Sequence, residues 1–367
     1  MNRPLRVLVA GARFGEAYLN AFLHQSEDIA VPPPVLAGVL ARGSQRARRL
    51  ADNHGVPLYT SVAQLPADLD LACVVVRSAA MGGDGCVLAD ALLRRGLHVI
   101  QEHPLHPGEV ERLQSTAARV GRLFWINTYY PHTAAGRSWI AHAQRIRDAT
   151  GSAVPGFAHL ATSRQLLYSS LDLLTQAAGI APSAVEVAEC GKPAGHAFQT
   201  LRLPWPGGEA ILQLQDYLDP VDPDMHSMIM HRMTLGWPSG YLSLDATFGP
   251  VTWNPALVMP KHRDDAQSWS ASAASSRELA QPPSRTLLAS PPSWLATLEV
   301  DGPLGVARLL DAAARAIALG TTPRSMTSAW QFGLAQLWQR VQRAAGPPRE
   351  MALAAPPCLD TLYQGEP

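Results

Sequence analysis

Glu102-His103-Pro104 is the stretch of this chain best equipped for chemistry. It follows an apolar run, His98-Val99-Ile100-Gln101, and stops at a proline, so a carboxylate and an imidazole sit where a buried strand should end. Histidine titrates near neutrality and suits a general acid or base. Tyr130, in Asn127-Thr128-Tyr129-Tyr130-Pro131-His132-Thr133, follows another apolar run and supplies a second, much weaker acid. In an open parallel α/β sheet the strand carboxyl ends face the crevice where ligands bind, so both groups should converge there. A polar turn closing a strand would read the same in isolation; the neighbouring elements favour a site.

Those elements begin with an apolar strand, Leu5–Ala10, and a small-residue turn that leads into a helical pattern from Glu16 to Leu23. The turn Gly11-Ala12-Arg13-Phe14-Gly15 reads as a degenerate G-x-G-x-x-G fingerprint, with alanine at two glycine positions. Backbone N–H groups at such a helix start, together with the helix dipole, favour a phosphate. A second strand, Pro34–Leu40, ends without the acidic residue that holds a ribose 2′-hydroxyl; Arg42, Ser44 and Arg46 stand there instead. Two cations and a hydroxyl suit a 2′-phosphate, so the expected cofactor is NADPH. An ordinary basic helix start is the alternative, although cations there oppose the dipole.

Strands at Val56–Tyr59 and Leu71–Val76 follow, the latter ending at Arg77-Ser78. The loop Gly82-Gly83-Asp84-Gly85 is placed to close over a ligand, and helices are expected at Cys86–Arg95 and Gly108–Val120. With Leu123–Asn127 as the sixth strand, residues 1–128 form a Rossmann domain. Residues 129–367 form an α+β domain on a broad, mostly antiparallel sheet. Its expected strands are Phe157–Thr162, Ala184–Cys190, Phe198–Leu203, Ala210–Tyr217, Ser227–Leu235, Tyr241–Ala246 and Thr252–Trp253. Its expected helices are Ser169–Ala178, Gly305–Leu319 and Ser325–Ala344. The Ser/Ala/Pro-rich stretch 262–293 is expected to be a lid or a mobile insertion, with Ser270–Ser276 its least packed part.

Thirty basic and thirty acidic residues leave no electrostatic footprint for nucleic acid or an anionic membrane. No apolar run is long enough to span a bilayer. Cys73, Cys86, Cys190 and Cys358 are scattered, which argues against a disulfide framework or a zinc site. His103, His106 and His132, or His226 and His231, are poorly spaced for a metal, and no metal is expected. These features suggest a cytoplasmic enzyme.

The βα domain, its modified fingerprint and a fifth strand ending Glu-x-Pro resemble the glucose–fructose oxidoreductase/inositol dehydrogenase family. That family usually carries Glu-Lys-Pro, and His103 replaces its lysine. A closer similarity is to the thiazolinyl imine reductases of yersiniabactin and pyochelin siderophore biosynthesis. It runs through Ala12–Glu16, Val76–Ser78, Val99–Pro107, Asn127–Thr133, Thr162–Ser169, Tyr217–Pro220, Asp224–Ser227, Ile229–Arg232 and Gly236–Pro238. The resemblance implies NADPH-dependent reduction of a thiazoline C=N while the intermediate is tethered to a carrier domain of a nonribosomal peptide synthetase. It places His103 and Tyr130 beside the substrate; the residues expected around the cofactor are Gly11, Ala12, Arg13, Phe14, Gly15, Arg42, Ser44, Arg46, Arg77, Ser78 and Glu102. Glu102 is left open between orienting the peptide or an amide of the cofactor and serving as a capping carboxylate. A cis bond before Pro104 and a homodimer are further expectations. A sugar or polyol dehydrogenase and a non-catalytic nucleotide-binding scaffold subunit are the competing functions.

Overall fold

Apolar strands alternating with amphipathic helices build a six-stranded parallel sheet from the first 127 residues. The computed structural model describes residues 3–24, 32–151, 153–190, 195–221, 227–257 and 281–352. The strands are β1 (Arg6–Ala10), β2 (Val35–Leu40), β3 (Leu58–Tyr59), β4 (Leu71–Val74), β5 (His98–Glu102) and β6 (Phe124–Asn127). Between them run α1 (Gly15–Asn20), α2 (Gln45–Asn53), α3 (Gly85–Arg94) and α4 (Pro107–Val120). The order β3-β2-β1-β4-β5-β6 reverses direction between β1 and β4, which opens a crevice outside the carboxyl ends of those strands. Every residue of β4 is buried, as a strand covered on both faces requires.

The chain then enters α5 (Ala134–Ala149), a helix the sequence reading did not anticipate. The second sheet uses β7 (Phe157–Thr162), β8 (Ala188–Glu189), β9 (Phe198–Trp205), β10 (Gly208–Gln215), β12 (His231–Trp237), β13 (Gly240–Leu244), β14 (Val251–Pro255) and β15 (Arg285–Leu288). Outside it, β11 (Tyr217–Leu218) pairs with β16 (Arg349–Glu350). The eight strands are ordered β15-β14-β13-β12-β7-β10-β9-β8, antiparallel throughout except for the parallel β7–β10 pair. Burial alternates along β7: Ala158, Leu160 and Thr162 point inward, Phe157 and His159 outward. The inward face packs on α5 and on α6 (Leu167–Ala178), with Trp139 and Leu171 wholly buried.

Two long helices close the structure. α7 (Gly302–Leu319) returns to the parallel sheet, where Val306, Leu309, Leu310 and Ala313 join the core of Val7, Val9, Leu19 and Ile100. α8 (Ser328–Ala345) lies against both α4 and α6. Its Gln331 Nε2 donates to the Ile126 carbonyl at 3.2 Å.

The structure shortens some expected elements. Of the strand anticipated at Ala184–Cys190 only Ala188–Glu189 pairs, because Pro182–Ala184 forms a helical turn. The strand expected from Ser227 begins at His231, and the residues before it line a cavity. Within the Ser/Ala/Pro stretch, Arg285–Leu288 is the edge strand β15; Ser270–Ser276 lie outside the described residues. No helix among the described residues is long and apolar enough to cross a membrane.

Because Leu309 is fully buried against the parallel sheet, Leu309→Ala should cost about 2–5 kcal/mol in chemical denaturation. The same change at exposed Leu319 should stay within about 0.5 kcal/mol.

Candidate active site

The turn between β1 and α1 lies at the strand-order reversal. Gly11 holds φ at +116°, and a Cβ there would lie 2.3 Å from the Val75 carbonyl oxygen, so only glycine lets β1 turn this close to the end of β4. Ala12 is half-buried, Arg13 and Phe14 exposed, and Gly15 buried at the start of α1. Phe14 stands edge-on to Tyr129, ring centroids 5.1 Å apart, which ties the turn to the end of β6.

The basic cluster after β2 lies beside this turn. Arg46 Nε donates to the Ala12 carbonyl at 2.8 Å, and its guanidinium also pairs with Glu16. Ser44 caps α2 by accepting from the Ala47 N–H at 3.2 Å. Arg42 has a side chain 94% exposed, 3.3 Å from Asp84 on the glycine-rich loop. Arg77 and Ser78 brace that loop: Gly85 N–H donates to the Arg77 carbonyl and Gly83 N–H to the Ser78 carbonyl. The Ser78 hydroxyl donates to the carbonyl of Pro104, whose peptide bond with His103 is cis.

Glu102 and His103 form a hydrogen-bonded pair at the end of β5, their side chains 12% and 9% exposed. His103 Nδ1 lies 3.0 Å from Glu102 Oε1 and 3.0 Å from the Asn127 carbonyl. The other carboxylate oxygen accepts from the Tyr18 hydroxyl and, at 3.2 Å, from Asn127 Nδ2. Glu102 is thus engaged within the protein on both oxygens. The His103 ring faces Tyr168, centroids 5.6 Å apart. His106 and His132 are set apart from this pair: His106 caps α4 and lies against Trp338, and a buried His132 is held neutral, its pKa lowered to about 4 by burial.

Tyr130 leaves β6 through a tight turn. Tyr129 adopts φ 63°, ψ −62°, and Tyr130 N–H donates to the Thr128 carbonyl at 2.7 Å; such a turn is strained for a residue other than glycine. The Tyr130 ring meets His231 at 4.4 Å and Phe248 at 6.2 Å, and burial raises its pKa. No hydrogen bond joins Tyr130 to His103 among the described residues. His231 and Phe248 also line a cavity of about 690 Å³ with Met228, Met230, Trp294 and Thr297. That volume lies in the range of small-molecule sites, and its walls are chiefly apolar.

Two participants were not foreseen. His231 is buried with Nε2 3.0 Å from Ser169 Oγ and Nδ1 3.3 Å from Thr247 Oγ1; burial, then His103, lowers its pKa to about 3. Asp172, on α6, accepts from Thr128 Oγ1 at 2.6 Å and from Trp330 Nε1 at 3.1 Å, and burial raises its pKa. The only sequence sign of Asp172 is an acid inside an otherwise apolar helical run, Leu171 to Leu174. Among the described residues no three histidines, cysteines or carboxylates come together as metal ligands, and His226 lies outside them.

With this geometry the chain was compared with known proteins. Residues 5–128 match the oxidoreductase family with an NAD-binding Rossmann fold, and residues 153–254 match the C-terminal domain described as thiazolinyl imine reductase Irp3-like. No curated protein sequence matches the chain. Among solved structures, an oxidoreductase from Agrobacterium radiobacter in complex with NAD+, L-tartaric acid and magnesium is 11% identical, with TM-score 0.63, covering 94% of this chain and 96% of that one. UDP-N-acetylglucosamine 3-dehydrogenase from Acidithiobacillus ferrooxidans is 18% identical, with TM-score 0.62 and coverage of 92% and 97%. A 3-ketoreductase from Actinomadura kijaniata, in complex with NADP and TDP-benzene, is 17% identical, with TM-score 0.61 and coverage of 93% and 98%. At these identities the likeness establishes a shared fold. The chain is an oxidoreductase of that fold, with an NAD-binding Rossmann domain followed by the Irp3-like domain.

The buried histidines set an acid limit on stability. His98 and His132 take up a proton near pH 4 and His231 near pH 3 when folded, against 6.5 for an unperturbed histidine. Between those values the unfolded chain binds more protons, so stability should fall as pH drops from about 6.5 towards 3 and stay level with respect to these groups above it. Denaturation midpoints across that range should show this loss, and His231→Gln should make it shallower.

Proposed function

We propose that this chain is an NADPH-dependent reductase of a C=N bond, converting the thiazoline of a carrier-tethered siderophore intermediate into a thiazolidine. The observation that carries the reading is the Irp3-like match over residues 153–254, because this part of the chain contributes His231, Phe248 and much of the cavity wall beside Tyr130. His103 in place of the lysine of the sugar enzymes supports it from the other side of the crevice. The carrier would be a domain of a nonribosomal peptide synthetase. A second copy would pack on the open face of the eight-stranded sheet, where Phe157 and Tyr241 are exposed.

The crevice residues fit a dinucleotide: Gly11 brings the first turn against the end of β4, and Arg46 spans that turn and α2. In this reading Gly11, Ala12, Arg13, Phe14 and Gly15 cradle the pyrophosphate, and Arg42, Ser44 and Arg46 meet the 2′-phosphate. Arg77 and Ser78 hold the loop over the nicotinamide side. NADPH, when bound, supplies the hydride that goes to the thiazoline carbon. The ring nitrogen then needs a proton, and a positioned general acid contributes about 10²–10⁴-fold. Burial makes Tyr130 an even weaker acid than a free phenol, so His103 gives the proton and Tyr130 orients the ring through its hydroxyl.

The direct test is NADPH consumption with a hydroxyphenyl-bisthiazoline carboxylate or thioester. The product should gain the mass of two hydrogens at the thiazoline. Turnover of simple sugars or polyols with no such product would replace this reading by a dehydrogenase. His103→Ala and Tyr130→Phe should each lower kcat at least about tenfold while sparing NADPH affinity, with the double loss smaller than the product of the two. Replacing Arg42 and Arg46 by alanine should raise the KM for NADPH about tenfold or more and leave that for NADH nearly unchanged, since each lost charge-assisted contact is worth roughly 1.5–3 kcal/mol.

A further inference from the structure

The pair formed by Glu102 and His103 sits in a network whose donors and acceptors can be assigned one by one. Asn127 Oδ1 accepts from the Tyr129 N–H at 2.8 Å, so its amide nitrogen is the atom facing Tyr18 and Glu102. That nitrogen donates to the Tyr18 hydroxyl, which spends its own proton on Glu102 Oε2. The Asn127 carbonyl accepts from the His103 backbone N–H at 3.1 Å and lies 3.0 Å from His103 Nδ1. A peptide carbonyl can only accept, and a carboxylate flanked by two donors does the same. Both neighbours of Nδ1 are therefore acceptors.

We infer that Glu102 is a positioning residue, held by Tyr18 and Asn127, which fixes the proton of His103 on Nδ1 and leaves Nε2 as the nitrogen that exchanges protons with the substrate. This rests on the proposed role of His103 as the acid. In the imidazolium form Nε2–H breaks, its electron pair stays on Nε2, and the proton goes to the ring nitrogen as hydride from NADPH reaches the adjacent carbon. Neutral His103 keeps Nδ1–H towards Glu102 throughout, and solvent reprotonates Nε2. Tyr18 lies on α1, immediately behind the fingerprint turn, so the helix that opens the cofactor crevice also anchors the acid. Other groups facing the pair are Asp172 and Tyr168 on α6, neutral His231 on β12, and Cys73 on β4, which burial keeps as a thiol. Asp172 is occupied by Thr128 and Trp330, which leaves Glu102 as the carboxylate bonded to the imidazole.

The test has one arm that needs no substrate. In the ¹⁵N spectrum of the full chain labelled at histidine, with the His103 ring in its neutral form, Nδ1 should resonate as a protonated nitrogen and Nε2 as an unprotonated one, with the signals assigned by their loss in His103→Asn. The reverse pattern would overturn the inference. In the second arm, Glu102→Gln keeps an acceptor for Nδ1 but removes the charge. Loss of the anchored geometry should lower kcat several-fold, and NADPH should bind within about twofold of the unaltered protein. Tyr18→Phe should lower kcat several-fold with the KM for NADPH likewise held. If Glu102→Gln instead weakened NADPH binding tenfold and left kcat at saturation unchanged, Glu102 would be a cofactor ligand and the inference would fail. An Nδ1-protonated ring in a protein whose kcat ignores His103 would uphold the tautomer and remove the acid role from the proposed function.

Discussion

The side chain and carbonyl of Asn127 hold the end of β6 to the end of β5, and most of the site depends on that joint. One residue receives two bonds from His103, gives two to Tyr18 and Glu102, and caps the turn that throws Tyr129 into a positive φ. Parallel strand ends otherwise diverge into separate loops. Here they are pinned while almost fully buried, where unmade hydrogen bonds are costly and satisfied ones specify geometry. The positions of His103 and Tyr130 are consequences of this joint.

Burial divides the ionisable groups around the crevice into two populations. His231 and Tyr130 stack on each other with burial holding His231 neutral and Tyr130 protonated, so the wall they form remains uncharged over the working pH range. Asp172 is buried deeper and is matched by three donors: Thr128 just after β6, Gln176 one turn further along α6, and Trp330 on α8. Among the described residues, only the Glu102–His103 pair combines slight exposure with direct contact between a carboxylate and an imidazole. A proton can reach it from solvent, whereas the stacked pair behind is better suited to shape and polarity.

The parts legible from the sequence were those written in short-range patterns. Apolar runs that stop at polar residues located the six parallel strands, and Glu102-His103-Pro104 announced its own place at a strand end. Long-range convergence was not legible. Asp172 meets Trp330 across 158 positions and Thr128 across 44, and nothing local marks those partners. His231 was read as a metal candidate and as part of a resembling segment, with no role at the site, since its contact with Tyr130 exists only once two domains are joined. The basic residues after β2 show an intermediate case: their position was evident, but the cap made by Ser44 and the Arg46–Glu16 pair needed coordinates. Helix α5 was missed because its apolar positions are interleaved with five charged or amide side chains and a histidine, which blurs the periodicity.

The return of α7 to the parallel sheet has a consequence for how the protein is made. Strands β1 to β6 are complete once residue 127 has been synthesised, yet one face of their sheet, partly covered by Tyr18, Leu19 and Leu50, is closed by Val306, Leu309, Leu310 and Ala313 nearly two hundred residues later. A ribosome adding about 5–20 residues per second leaves that face partly uncovered for roughly ten to forty seconds. The nascent first domain must therefore wait, half wrapped, while the whole second sheet emerges. Chaperone occupancy during synthesis should peak in that interval, and a gene fragment ending near residue 128 would yield a sheet with part of one apolar face uncovered.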